Sequence, residues 1–207
     1  MAAVQGRGCA ASISRNSRVG SYDAIQIYRC AGANLAVQNE RLRLSPYIAT
    51  AGVSNLRFNL SNTTGLVACA VSIDCEIGID VENITRTVDA DAVAPSVFAP
   101  AELADFREAG LEDQRERFFS YWTLKESYIK ARGLSLPLDA FWFELGGTSP
   151  LLCVTDRCPD IPDRWRFYQH APTDEHMMAV AVAAPQGVEP FIHSRWVKPM
   201  SLIAESA

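Results

Sequence analysis

Two rhythms of apolar and polar residues run through the chain, and they divide it into strands, then helices, then strands. Residues 1–45 carry little period: Gly, Ser, Asn and Arg are frequent, and only Ala24–Tyr28 looks briefly strand-like. Partial disorder is the expectation for that stretch. From Leu56 the pattern sharpens. Arg57–Leu60 reads as a strand end, and Ser61-Asn62-Thr63-Thr64-Gly65 as a turn. Leu66–Ser72 and Glu76–Glu82 are compact strands separated by Asp74 and Cys75, which predicts a hairpin. Ala99-Pro100-Ala101-Glu102 opens a helix that should stop at Gly110, and a longer helix spans Asp113 to Arg132 with Gly133 as its stop. Short strand candidates follow at Phe141–Leu145, Leu151–Thr155, Trp165–His170 and Met177–Ala183. This order predicts an α+β fold with a largely antiparallel sheet.

Composition narrows the class. The 207 residues are 48% hydrophobic and 21% charged, an ordinary globular balance with enough apolar surface for a sizeable core. The longest apolar run, Met177–Ala184, is far short of the ~20 residues that a membrane span needs, so no membrane role is expected. The first residues lack the apolar segment of a secretory signal. Six cysteines without a CxxC pair point to a reduced, cytoplasmic protein. His170, His176 and His193 have no metal-ligand spacing and read as ordinary structural or surface residues. The net charge of −5 argues against nucleic-acid binding. The basic residues 1–45, with six arginines against Asp23 and Glu40, are most simply a solvated arm.

Chemistry is concentrated in two places. In Ile77-Gly78-Ile79-Asp80-Val81-Glu82, strand alternation sends Ile77, Ile79 and Val81 toward a core and Asp80 and Glu82 to the opposite face. Neighbouring carboxylates repel unless a proton or cation intervenes, and a hard divalent ion such as Mg²⁺ prefers such oxygen ligands. A polar outer face on an edge strand would give the same spacing, and spacing alone does not separate the two. In the long helix, Phe118, Tyr121, Trp122, Tyr128 and Ile129 form an apolar stripe with Lys125 near its centre, so its ammonium must snorkel out or find a carboxylate or phosphate. Glu126 lies at the stripe's border and Lys130 one turn further on. Those two alone would be a surface pair worth about 0.3–0.5 kcal/mol. The central lysine and the aromatic density favour a site at the stripe's edge. Three carboxylates and two lysines are the general equipment for displacement at phosphorus.

Four segments in order resemble the Sfp-type 4'-phosphopantetheinyl transferases: Phe58-Asn59-Leu60-Ser61-Asn62-Thr63, Ile77–Glu82, Trp122-Thr123-Leu124-Lys125-Glu126-Ser127-Tyr128-Ile129-Lys130-Ala131, and Gly133-Leu134-Ser135-Leu136-Pro137-Leu138. The family pattern is roughly FN(L/I)SH, (V/I)GIDxE and WxxKExxxKxxGxGL, and the resemblance covers about residues 46–187. It implies an α+β fold of two related halves with antiparallel sheets and a long helix, the N-terminal half here shortened or divergent. Residues 188–207 are then a C-terminal tail. It implies Asp80, Glu82 and Glu126 as Mg²⁺ ligands, Ser61, Asn62, Lys125 and Lys130 as contacts to coenzyme A phosphates, and Glu126 and Lys130 as catalytic. Glu126 would serve as general base for the serine of an apo acyl or peptidyl carrier protein, and Lys130 would assist the leaving group. A monomer is expected. Two departures stand out. Asn62 replaces the family's usual histidine and cannot carry its charge. Residues 1–45 match none of the family's N-terminal half, so a member that binds metal or carrier without turnover is the alternative to an active transferase.

Overall fold

The computed structural model describes residues 56–133 and 135–197, and the backbone of residues 25–31. Expectations for residues 1–24 and 32–55, including the solvated arm, lie outside the described residues, as do Leu134 and residues 198–207. Nine strands and three α-helices follow in the order β1 (Ile25–Ala31), β2 (Leu56–Thr63), β3 (Leu66–Ile73), β4 (Ile77–Asn83), α1 (Ala90–Val97), α2 (Pro100–Glu108), α3 (Gln114–Arg132), β5 (Phe141–Glu144), β6 (Leu151–Val154), β7 (Trp165–Thr173), β8 (His176–Ala183) and β9 (Ile192–Trp196) among the described residues. The fold is α+β, as the strand–helix–strand order predicts.

The strands form two sheets and a ribbon. The first sheet has the order β2-β3-β1-β9, antiparallel except for the parallel β1/β9 pair. The second is the antiparallel β4-β8-β7, and β5 pairs with β6 alone. The expected hairpin between Leu66–Ser72 and Glu76–Glu82 does not form. β3 pairs with β2 and β1, whereas β4 crosses to the second sheet and pairs with β8. Asp74, held at φ 62°, turns the chain out of the first sheet. The hairpin that does form is β2–β3. Its tight turn begins only after Thr63, so Ser61, Asn62 and Thr63 are strand residues rather than turn residues. Gly65 takes φ 85° there, and the buried His176 ring pins the turn through Nε2 and the Thr64 carbonyl at 2.8 Å. Ile192–Trp196, within the expected tail, is strand β9 of the first sheet.

Alternation on β4 builds two cores. Ile77, Ile79 and Val81 face Leu66, Ala68 and Ala70 of β3 and share Met178, Val180 and Val182 of β8 between the two sheets. The other face of the second sheet carries Ala179 and Ala181 and is covered by α3 with its Phe118, Phe119, Tyr128 and Ile129. Small residues on the sheet let the helix come close. At Gly78 an added Cβ would lie 2.1 Å from the Ser127 carbonyl oxygen and 2.4 Å from the Ala131 nitrogen, so only glycine fits between strand and helix backbones. Gly133 ends α3 with φ 62° and returns its N–H to the Lys130 carbonyl at 3.3 Å. Helix α1, which no periodic stripe announces, carries Pro95 inside it and is capped by Asp89, whose Oδ1 accepts from the Ala92 N–H at 3.1 Å.

One ion pair is sealed inside the helical core. Lys125 Nζ lies 2.7 Å from Glu102 Oε2, with side-chain exposures of 1% and 0%. The ammonium also donates to the carbonyls of Leu138 and Phe141, both at 2.7 Å, and sits 4.5 Å from the Phe141 ring centroid. Glu102 accepts in turn from the N–H groups of Ala99 and Phe143, each at 2.9 Å. Burial pushes the Glu102 carboxyl up and the Lys125 ammonium down, and their mutual attraction opposes both shifts. The pair thereby ties α2, α3 and β5 together.

Two stability outcomes follow. Gly78→Ala forces α3 off the sheet and should cost about 1–3 kcal/mol in urea unfolding; a parental midpoint would disprove the close approach. Lys125→Met leaves Glu102 as an uncompensated buried carboxylate and should cost about 3–5 kcal/mol in the same assay. A loss below about 1 kcal/mol would mean that the ammonium does not hold that junction.

Candidate active site

Among the described residues, the outer edge of β4 has no neighbouring strand in its own sheet, so the N–H groups of Ile79, Val81 and Asn83 point outward in need of acceptors. Side chains of β2 supply them. Ile79 N–H donates to Asn59 Oδ1 at 3.0 Å, Val81 N–H to Ser61 Oγ at 3.1 Å and Asn83 N–H to Thr63 Oγ1 at 3.1 Å. Every second residue of one strand thus replaces the carbonyl row of a missing partner. This ladder fixes β4, and with it Asp80, against the edge of the first sheet. Asn59 and Thr63 escaped the sequence reading as functional positions. Their signal was the polar residue at every second position of a strand.

Asp80 and Glu82 do lie on the face opposite Ile79 and Val81, but that face meets α3 rather than solvent. Asp80 is buried at 4% exposure. Its Oδ1 accepts from Lys130 Nζ at 2.6 Å and from the Ser61 hydroxyl at 3.1 Å. Lys130 donates further to Ser61 Oγ at 3.0 Å and to the Ile79 carbonyl at 3.2 Å. The Ser61 hydroxyl therefore commits its one proton to Asp80 and accepts from both Val81 and Lys130. It positions the two charges. Asn62, one residue on, is exposed on the other face of β2.

Glu82 is engaged differently. Its Oε1 accepts from the Trp122 indole N–H at 3.0 Å and its Oε2 from Arg86 Nε at 3.0 Å. Burial first, then the charge of Asp80, pushes the Glu82 carboxyl up, while Arg86 and Trp122 draw it back. On α3, Trp122 touches Glu82 and Lys130 touches Asp80, so these two contacts bracket Glu126, which lies four residues from each on the same helix face. Glu126 is half-buried.

Asp80, Ser61 and Lys130 meet at one junction with Glu82 nearby, whereas Lys125 and Asn62 lie elsewhere. Lys125 does not reach this face, because three acceptors inside the core take its three protons. A second point concerns the metal. Among the described residues, no three His, Cys, Asp or Glu side chains stand close enough together to hold one ion. Against that, Asp80 Oδ2 is buried with no hydrogen-bond partner among the described residues, beside a second carboxylate whose ionised form burial and the Asp80 charge disfavour. A bare buried carboxylate oxygen is costly, and a divalent cation is the group that its chemistry suits. The donor set fits such an ion at Asp80, with Glu82 turned toward Trp122 and Arg86.

Comparisons with known proteins identify the family. The family model described as the 4'-phosphopantetheinyl transferase superfamily matches residues 76–181, about half of the chain, from the start of β4 through α3 into β8. The chain is 36% identical over 131 residues to the 4'-phosphopantetheinyl transferase HetI of Nostoc sp., covering 63% of this chain and 53% of that one. It is 32% identical over 158 residues to a 4'-phosphopantetheinyl transferase of Bacillus subtilis, covering 75% of this chain and 65% of the other. The chain therefore spans between half and two thirds of the length of these curated relatives. Among solved structures, the Thermotoga maritima holo-[acyl-carrier-protein] synthase aligns with a TM-score of 0.45 at 23% identity, over 54% of this chain and 64% of that one. The glycine that admits α3, the acidic residues beside it and the helix that carries Glu126 and Lys130 all fall within the matched segment, and the chain belongs to the 4'-phosphopantetheinyl transferase superfamily.

Proposed function

We propose that this protein transfers the 4'-phosphopantetheine group from coenzyme A to a serine hydroxyl of an apo acyl or peptidyl carrier protein, with release of adenosine 3',5'-bisphosphate. The observation that carries this reading is the junction of Lys130 with Asp80 at 2.6 Å, made beside a buried Asp80 oxygen that has no partner among the described residues. A cation and an unsatisfied acid held side by side are what a pyrophosphate and its counter-ion would exploit.

In this reading Asp80, Glu82 and Glu126 would hold Mg²⁺. When bound, that ion neutralises oxygens of the coenzyme A pyrophosphate. The chain's own residues do the rest. Lys130, whose side chain is 27% exposed, keeps its ammonium in place through Asp80, Ser61 and the Ile79 carbonyl, and a phosphate oxygen that reaches it takes over a proton now given to one of these acceptors. The Glu126 carboxylate takes the proton of the carrier serine as its oxygen attacks the phosphorus that bears the pantetheine. The bond from that phosphorus to the bridging oxygen of the departing adenosine 3',5'-bisphosphate breaks, and the electron pair leaves with that oxygen. Lys130 balances the charge that develops there. The ladder from β2 and the glycine contact with α3 keep acid and base at a fixed separation through the step.

Incubation of the protein with coenzyme A, Mg²⁺ and a panel of apo carriers should raise the mass of at least one carrier by one phosphopantetheine. Failure on every carrier, with the protein folded, would favour a binding protein without turnover. Glu126→Gln should lower transfer by about 10²–10⁴-fold while leaving the unfolding midpoint unchanged. Parental turnover by that variant would remove Glu126 from the role of base. In Lys130→Met the loss should fall mainly on kcat, because the ammonium acts on charge that grows in the transition state. A variant whose kcat is unchanged and whose KM alone rises would assign Lys130 to binding only.

A further inference from the structure

Asp80 and Glu82 are chemically alike but differently occupied. Asp80 keeps one buried oxygen bare. Glu82 has both oxygens taken, one by the Trp122 indole and one by the Arg86 guanidinium. Arg86 is held in readiness by the turn after β4. The Asn83 side chain accepts from Thr85 N–H at 2.8 Å and from its hydroxyl at 2.6 Å, and Arg86 N–H bonds to the Asn83 carbonyl at 3.3 Å. The Arg86 guanidinium then lies 5.1 Å from the Phe119 ring centroid, with Arg115 5.9 Å from the same ring and donating to the carbonyls of Ile84 and Arg86. The turn, the ring and the second arginine together aim one cation at Glu82.

We infer that Arg86 is a built-in counter-cation that holds Glu82 in the absence of a divalent ion and has to release it for the ion to bind, so that Arg86 sets the cation concentration at which the site fills. The inference rests on the metal reading proposed above. Its physical basis is competition for one carboxylate. A divalent ion that turns Glu82 toward Asp80 draws its oxygens away from Arg86 and the Trp122 N–H, and the ion gains only the difference. The Arg86–Glu82 pair is partly exposed, at 37% and 18%, so it is a modest hold that an ion can displace and not a permanent lock. Asp80 Oδ2, with nothing to displace, is the place where the ion first engages. Arg86 is a positioning residue in this scheme, acting through Glu82 and making no demand on substrate.

Trp122 gives the inference its reporter, because its indole N–H bonds to the carboxylate that must move. The experiment is a Mg²⁺ titration of the full chain followed by the indole N–H signals of its four tryptophans, with the Trp122 signal assigned by its loss in Trp122→Phe. In the parent the Trp122 signal should shift and saturate, and in Asp80→Asn it should stay put. In Arg86→Gln it should saturate at a Mg²⁺ concentration about two- to fivefold lower, as expected for removal of a partly exposed ion pair. Arg117→Gln, which removes a charge paired with Asp105, controls for net charge and should leave the midpoint where it was. An Arg86→Gln midpoint equal to or above the parental one overturns the inference and leaves the metal reading standing. So does an Arg117→Gln shift as large as that of Arg86→Gln. A parent that shows no Trp122 shift and binds no Mn²⁺ in a parallel paramagnetic titration overturns both.

Discussion

Three hydrogen bonds from side chains to a strand edge hold this protein's candidate site in place. Asn59, Ser61 and Thr63 project from β2 at a spacing of two and meet the N–H groups of Ile79, Val81 and Asn83 in step, each pair twenty residues apart. A main-chain partner would have pulled β2 and β4 into one sheet. Side-chain acceptors let the two strands belong to different sheets and still share an edge, with the Ile77, Ile79 and Val81 core between those sheets. Asp80 lies within that junction, so its Oδ1 meets Ser61 from one sheet and Lys130 from the helix on the far side. The acidic pair is thus fixed from two directions.

The helix side of the site has its own constraint. Gly78 removes the last side chain between β4 and α3, and the backbones touch near Ser127 and Ala131. The Glu102–Lys125 pair anchors the same helix to α2 and to the start of β5. Placing a carboxylate and an ammonium there has a desolvation cost, which four hydrogen-bonding groups around the pair and the contact between the two charges offset. Lys125 and Glu126 are neighbours in sequence on different faces of the helix: one is sealed inside with Glu102, and the other is half-buried on the face that carries Trp122 and Lys130.

Much of this was legible before any coordinates, for identifiable reasons. The bounds of α3 follow from its aromatic stripe and from Gly133, whose left-handed conformation suits the residue that ends a helix. The alternation of Ile77, Ile79 and Val81 against Asp80 and Glu82 needs only the period of a strand. What was hidden is long-range. Asp74 and Cys75 read as a hairpin turn, because nothing local tells a turn within a sheet from one that leaves it. The partner of Lys125 is twenty-three residues upstream on another helix, beyond any periodicity. Helix α1 buries only Ala94 and so leaves no apolar stripe to read. The occupation of Glu82 by Arg86 depends on a turn built by the Asn83 side chain, which composition marks only as polar.

The side-chain ladder also has a consequence for how this protein behaves in crowded solution. An unpaired rim of a sheet is a template on which a foreign chain can polymerise, and folded proteins that persist at high concentration blunt such rims. On one flank of the second sheet the amide and hydroxyl groups of β2 already fill the sockets that an invading strand would need. On the other flank the register of β7 against β8 is broken between His170 and Thr173, which spoils the straight template. The same three bonds that seat an acid for chemistry therefore also guard the sheet against amyloid-like growth.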